Sequence, residues 1–265
     1  MSDIITSNNN PTVRRLRKLA TSGKTRREEG RTIASGTHLA HSFLDTGDTP
    51  EICIIATAAQ ANEEVIELVR QLQHTSTTLI EFADNIYESV ADVHAAVGIS
   101  IVFSIPEASN TALIGDALLV EDVQDPGNLG TMLRTAAASG ITDVYLSPDC
   151  ASAWSPKALR AGMGAQFALR IYEQSNLQKL IKSSQTPVYA TMLTGDSVDL
   201  YDLDLRQPTA WLVGNEGQGV STVLATLTTE RVHIPQAATP VESLNVAAAT
   251  AVCLYEQFRQ RQSSQ

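Results

Sequence analysis

Two kinds of apolar spacing alternate along this chain. Val13, Leu16, Leu19 and Ala20 recur at helical spacing behind Asn10 and Pro11, a capping residue and a first-turn proline, and predict a helix over 10–20. Gly23 interrupts it. Ile33-Ala34 opens a strand, His38 to Leu44 reads as a helix ending near Gly47, and Ile52-Cys53-Ile54-Ile55-Ala56 is a buried-strand run. A helix over 62–73 presents Val65, Leu68, Val69 and Leu72, and Leu79-Ile80 and Ile99 to Phe103 predict further strands. This pattern predicts a small α/β domain over 1–103. A linker over 104–115 follows, with Pro106, Ser104 and Ser109 in it.

A second domain is expected over 116–265. Ala117 to Val123 reads as a buried strand, with Asp125 or Asn128 placed to cap a helix through Leu133, Arg134 and Ala137, and Gly140 at its end. Strands follow at Val144–Leu146, 187–192, Trp211–Val213 and Arg231–Ile234, and helices at Lys157–Met163, 176–184 and, briefly, after Ser221. The last helix, from about Leu244 to Arg259, is expected to set Leu244, Ala247, Ala248, Ala251, Leu254 and Phe258 on one face. Such alternation predicts a mainly parallel sheet, with functional loops at the carboxyl ends of its strands.

Composition narrows the class. The chain has 265 residues, 43% hydrophobic and 18% charged, and no apolar run near the roughly 20 residues of a membrane span. Its start lacks the order of a secretory signal. Cys53, Cys150 and Cys253 are far apart and odd in number, which argues against a disulfide framework. A reduced cytoplasmic setting is the expectation. His38 and His41 lie three apart on a predicted helix without a third ligand, and His74, His94 and His233 form no pattern, so no metal is expected. The net charge of −10 is unevenly spread: Arg14, Arg15, Arg17, Lys18, Lys24, Arg26, Arg27 and Arg31 face only Asp3, Glu28 and Glu29 within residues 1–31. A basic segment ahead of an acidic body suits a directed polyanion contact.

Three stretches share the design of strand, polar loop and helix: Asp125-Pro126-Gly127-Asn128-Leu129-Gly130, Gly214-Asn215-Glu216-Gly217-Gln218-Gly219, and Ile234-Pro235 running to Glu242-Ser243-Leu244-Asn245-Val246. They are expected to converge on one site. The glycines at 214, 217 and 219 miss the G-x-G-x-x-G spacing, and the chain holds no P-loop, no nucleophile elbow and no paired Cys and His. What remains is backbone that can approach a ligand closely, one carboxylate, one arginine and several amides and hydroxyls.

In that order and background, Asn128-Leu129-Gly130 with Arg134, Leu212-Val213-Gly214-Asn215-Glu216-Gly217, and Ile234-Pro235 with Glu242-Ser243-Leu244-Asn245-Val246 resemble the three signature motifs of the SpoU/TrmH class of RNA ribose 2′-O-methyltransferases, in the SPOUT superfamily. The resemblance spans roughly 116–259. Residues 1–103 are similar, less specifically, to the small RNA-binding domain often fused in front of such enzymes. The resemblance implies an α/β SPOUT domain with a deep trefoil knot, S-adenosyl-L-methionine as methyl donor, and a homodimer with sites at the subunit interface. It implies cofactor contacts at Gly214, Ile234 and Leu244, with Leu193 and Gly195 as additions, and a catalytic set of Asn128, Arg134, Glu216, Ser243 and Asn245. In the family's usual proposal the arginine is the general base. An arginine that grips phosphate and orients the ribose gives the same dependence, since guanidinium groups hold their proton far above neutral pH. Arg14 to Arg31 would then grip RNA phosphates. Two departures stand out: Gln236, Ala237 and Ala238 replace the family's methionine and glycine after Ile-Pro, and Ser35-Gly36 replaces Glu-Gly after the first strand.

The expectation is methylation of a ribose 2′-hydroxyl in structured RNA, ribosomal by family habit, with transfer RNA as the alternative. A non-catalytic RNA-binding paralogue would have no need of Arg134, Glu216, Ser243 and Asn245 together. A small-molecule methyltransferase would have none for the basic front segment.

Overall fold

In the computed structural model, residues 4–91, 97–108, 112–193, 195–237 and 243–262 are described. His94, Ser109, Asn110, Glu242 and the end of the Gln236–Thr239 segment lie outside them. The chain divides into two compact units, one of Met1–Glu107 with Trp154–Phe167 and one of Ala108–Ala153 with Ala168–Gln265.

The first unit opens with helix α1 (Pro11–Thr21), whose N-cap Asn10 accepts from the Thr12 N–H and whose Val13, Leu16 and Leu19 are buried, as their spacing predicts. Ser22 ends it and caps α2 (Gly23–Glu29). Then come β1 (Arg31–Ser35), α3 (Thr37–Leu44), β2 (Ile52–Ala56), α4 (Glu63–Leu72), β3 (Thr78–Phe82), α5 (Asp84–Glu88) and β4 (Ile99–Ser104). They form a four-stranded sheet in the order β1-β4-β2-β3, with β4 antiparallel to both neighbours and β2 parallel to β3.

The second unit begins with β5 (Ala117–Val120), α6 (Pro126–Ala138) and β6 (Asp143–Leu146). The chain then leaves for α7 (Pro156–Gly162), which lies in the first unit, and returns with β7 (Arg170–Tyr172), α8 (Leu177–Ser183), β8 (Val188–Thr191), β9 (Val198–Asp199), β10 (Ala210–Val213), α9 (Thr222–Ala225), β11 (Glu230–His233) and α10 (Val246–Gln262). The seven strands are all parallel, in the order β7-β6-β5-β10-β8-β11-β9. Every residue of β5, β6 and β10 is buried, and all but Asp143 are apolar, which is why these strands read as apolar runs. From β5 the order runs one way through β6 and the other way through β10. The crevice at such a reversal, outside the strands' carboxyl ends, is where open α/β sheets bind ligands.

One local alternative is resolved and one expectation changes. Asp125, not Asn128, caps α6: its side chain accepts from the Asn128 N–H, so Asn128 sits in the helix's first turn. The single apolar face expected of the last helix divides. Ala247, Cys253 and Leu254 are buried beside Thr250 and Gln257, while Tyr255 and Phe258 stay exposed. Gln257 holds an interior position because it accepts from Trp211 Nε1 at 2.5 Å and donates to Asp116 at 2.9 Å.

Candidate functional site

The carboxyl ends of β5, β8, β10 and β11 carry the polar loops. A cavity of about 340 Å³ opens there, within the size range of small-molecule sites. Its walls include Leu193 after β8, Gly214, Glu216 and Gly217 after β10, Ile234 after β11, and Ser243 and Leu244 before α10. Four of the expected cofactor positions, Leu193, Gly214, Ile234 and Leu244, therefore share one cavity; Gly195 is not among its lining residues. Met192, Val220, Val232 and Val246 add apolar surface, Thr191, Gln218 and His233 add polar groups that the motifs did not single out, and Gln236 adds one from the segment that departs from the family pattern. An apolar hollow with a few fixed polar groups and glycine-rich backbone fits a small organic ligand that backbone can approach closely.

Gly214 has a specific reason to be glycine. A Cβ there would lie 2.1 Å from the Gly219 carbonyl carbon and 2.2 Å from the Val220 nitrogen. The loop closes on itself at that point, with Asn215 and Gly219 exchanging backbone hydrogen bonds of 3.1 and 2.8 Å. Gly219 has φ +68°, a conformation glycine adopts without strain.

Beside the cavity, residues from three loops meet in one chain of hydrogen bonds. Asn128 Nδ2 donates to Glu216 Oε1 at 3.1 Å, and Asn128 Oδ1 accepts from Asn245 Nδ2 at 3.1 Å. Asn245 Oδ1 in turn accepts from the Ala247 and Ala248 N–H groups, capping α10. Glu216 also accepts from the Gln124 and Asp125 N–H groups at 3.4 and 3.3 Å. Desolvation pushes its carboxyl upward, but the hydrogen bonds from Asn128 and the backbone outweigh it and hold the pKa below the ordinary value. A fixed negative charge thus stands at the cavity rim.

Arg134 lies six residues beyond Asn128 on α6, about 9 Å further along the helix axis. It is exposed, and no hydrogen bond or ion pair holds it among the described residues. Of the basic residues at the front, Arg15 pairs with Glu29, Lys24 with Glu28 and Arg31 with Glu51. Arg17 donates to Ser89 and Asn8, and Arg14 to the Asn9 carbonyl. Arg26 is buried, with Nη1 donating to the Leu19 and Ala20 carbonyls. Lys18 and Arg27 project from the surface. Among the described residues no group of three or more His, Cys, Asp and Glu could hold a metal, and no helix is long and apolar enough to cross a membrane.

The model of the SpoU rRNA Methylase family matches residues 117–255, and that of the MRM3-like substrate binding domain matches residues 10–100. An uncharacterized tRNA/rRNA methyltransferase of Synechocystis is 35% identical over 98% of this chain and 96% of its own length. The 23S rRNA (guanosine(2553)-2′-O)-methyltransferase of Bacillus subtilis is 34% identical over 65% of this chain and 69% of its own. Among solved structures, an AdoMet-bound rRNA methyltransferase from Sinorhizobium meliloti superposes with a TM-score of 0.82 at 26% identity, covering 97% of both chains. The fold is also that of the SpoU methyltransferase AviRb from Streptomyces viridochromogenes, with a TM-score of 0.86 at 24% identity, over 96% of this chain and 99% of that one.

Proposed function

Because the chain belongs to the SpoU rRNA methylase family, we propose that its cavity and polar cluster methylate a ribose 2′-hydroxyl of structured RNA, with ribosomal RNA as substrate. Its seven-stranded parallel unit is consistent with the knotted SPOUT-type fold, and the smaller mixed unit in front corresponds to a substrate-binding domain. The observation that carries the catalytic reading is the Glu216–Asn128–Asn245 chain, in which three separate loops bring polar groups to the rim of one cavity. A binding module without chemistry has no use for that convergence.

Leu193, Gly214, Ile234 and Leu244 would hold S-adenosyl-L-methionine, which would supply an electrophilic methyl on a sulfonium. The rest is positioning. Asn128 is fixed at both ends of its amide, so its orientation is set before substrate arrives. The ionised Glu216 favours a cationic sulfonium and is available to take the hydroxyl proton through water. Arg134, exposed and with no partner among the described residues, grips and orients the RNA phosphate and ribose. Ser243 lines the same cavity as Glu216.

A homodimer belongs to the same reading. Tyr255 and Phe258 stand exposed on α10 with ring centroids 5.9 Å apart, and Leu244 is 40% exposed at the cavity mouth. A second copy would cover this apolar stripe and bring its own Arg134 near the site. A cytoplasmic setting accords with Cys53, Cys150 and Cys253 all being free thiols.

The test uses labelled cofactor and RNA from cells lacking the protein. Label recovered as 2′-O-methyl nucleoside after digestion is the expected result. Label in a base or in protein, or none at all, overturns the proposal.

A further inference from the structure

The methyltransferase unit pairs its cations. Arg170 meets Asp143, Arg206 meets Asp204, Arg231 meets Asp196, Arg259 meets Glu256 and Arg261 meets Asp116. Among the described residues of this unit, the cationic side chains without a carboxylate partner are Arg134, Lys179 and Lys182. Arg134 belongs to the catalytic set. The two lysines are exposed and three residues apart on α8, hence on one face.

Lys179 and Lys182 border a shallow, open depression on α8 with Asn176 and Gln178. Asn176 and Gln178 also line a second hollow, of about 560 Å³, that reaches Ser147 at the end of β6 and Asp122 at the end of β5. Because the two share Asn176 and Gln178, the lysines stand at one edge of the second hollow, which forms a cleft. Its far end adjoins the catalytic loops, because the Asp122 carbonyl accepts from Asn215 at 2.8 Å and Asn215 precedes Glu216.

We infer that this cleft holds the single-stranded RNA flanking the target nucleotide, with Lys179 and Lys182 gripping two of its backbone phosphates. The inference rests on the RNA methyltransferase reading above. The exposed side-chain amides of Asn176 and Gln178 suit the edges of unpaired bases and the ribose 2′-hydroxyl, both of which offer donors and acceptors. The two carboxylates in the cleft are engaged by its own wall. Glu121 accepts from the Ser221 N–H at 2.7 Å, and Asp122 accepts from the Ser147 hydroxyl. Two non-glycine residues on this rim, Asp122 and Gln174, adopt φ of 55° and 57°. Left-handed backbone at such residues is strained and gathers where function requires it.

The test compares full-length wild type with K179A/K182A on whichever transcript, ribosomal or transfer, accepts the methyl label. In the double variant the RNA KM rises about tenfold, and the slope of log affinity against log salt falls by about 1.4, about 0.7 per single-strand phosphate contact. kcat and cofactor affinity stay within twofold, and K179R/K182R restores both RNA readouts. R206A, which removes a paired cation outside the cleft, leaves the RNA KM unchanged. An unchanged KM and slope in K179A/K182A overturns the assignment, and so does an equal loss in R206A, which would reduce the effect to bulk charge. Failure of the underlying reading looks different: wild type itself would then place no label on a ribose.

Discussion

Asn215 donates its side-chain N–H to the Asp122 carbonyl at 2.8 Å, tying the loop after β10 to the end of β5. The same side chain's Oδ1 accepts from the Gly217 and Gln218 N–H groups, so it folds its own loop as well. Asp122 is fixed in turn, its N–H donating to the Ser147 hydroxyl at 2.9 Å. Ser147, Asp122 and Asn215 thus join the ends of β6, β5 and β10 and set Glu216, the next residue, against Asn128.

Asn215→Asp separates the two jobs. The aspartate keeps an acceptor for Gly217 and Gln218 but sets a carboxylate oxygen against the Asp122 carbonyl. We expect kcat to fall by about tenfold, equivalent to about 1.4 kcal/mol, from displacement of Glu216, with cofactor affinity within about threefold. Steady-state kinetics beside calorimetric titration of the cofactor checks this. An unchanged kcat would show that the tie to Asp122 positions nothing.

Gly214→Ala should act on the cofactor instead. The added Cβ meets loop backbone 2.1 Å away, so the loop must open. Overpacking of this kind costs about 1–3 kcal/mol, and we expect cofactor affinity to drop about tenfold or more by calorimetry. Gly217→Ala is the matched control, because its Cβ would meet only Asn215 Oδ1 at 3.6 Å. Equal losses in both variants would assign the effect to loop flexibility rather than to closure at Gly214.

Much of this was legible in the chain. Helical and strand spacing placed α1, α4, β2, β5 and β10 because their burial is one-sided or complete, and local pattern reports that directly. The motif order placed Asn128, Glu216 and Asn245, which the fold joins by hydrogen bonds. What pattern could not reach depends on distant partners. The three-residue β7 and two-residue β9 are too short to show a period. Gln257 reads as a surface residue until Trp211 and Asp116 are found beside it. The left-handed Asp122 follows from its contacts with Ser147 and Asn215, not from its neighbours in sequence.

The basic residues at the front should divide by burial. Arg26→Ala leaves the Leu19 and Ala20 carbonyls without their guanidinium donor, and losing such a charged hydrogen bond costs about 1.5–3 kcal/mol. The expected result is a lower urea midpoint with an unchanged salt slope of RNA binding. Arg27→Ala, at an exposed position, should give the converse: unchanged stability and a shallower slope. A slope change in Arg26→Ala at full stability would contradict this division.

Glu216 predicts the acid side of the pH profile. Its pKa is lowered in the fold, so its stabilising bonds are fully present above the unfolded carboxyl value and are lost as pH falls through the lower folded value. Methyl transfer should therefore hold its rate down through the ordinary carboxylate range and fail only below it. Glu216→Gln should lower the rate at every pH above that limb and remove the limb itself. A limb that persists in Glu216→Gln belongs to another group.

The stretch Trp154–Phe167 sets the last prediction, because it lies in the first unit although it follows β6 of the second. Trp154 is 2% exposed, and its carbonyl accepts from the Thr32 hydroxyl of β1 at 2.6 Å. Phe167 packs edge-on against both Phe43 and Phe103, with centroids 5.5 and 5.4 Å apart. A fragment of residues 1–107 therefore lacks two aromatic side chains of its own core. We expect it to unfold without a sharp transition and to bind a hydrophobic dye, while a version with 154–167 joined by a flexible linker unfolds cooperatively. In the full chain, Trp154→Ala should destabilise the first unit by about 3–5 kcal/mol in urea titration. Cooperative unfolding of 1–107 alone, with no gain from the added segment, would show that the unit is complete without it.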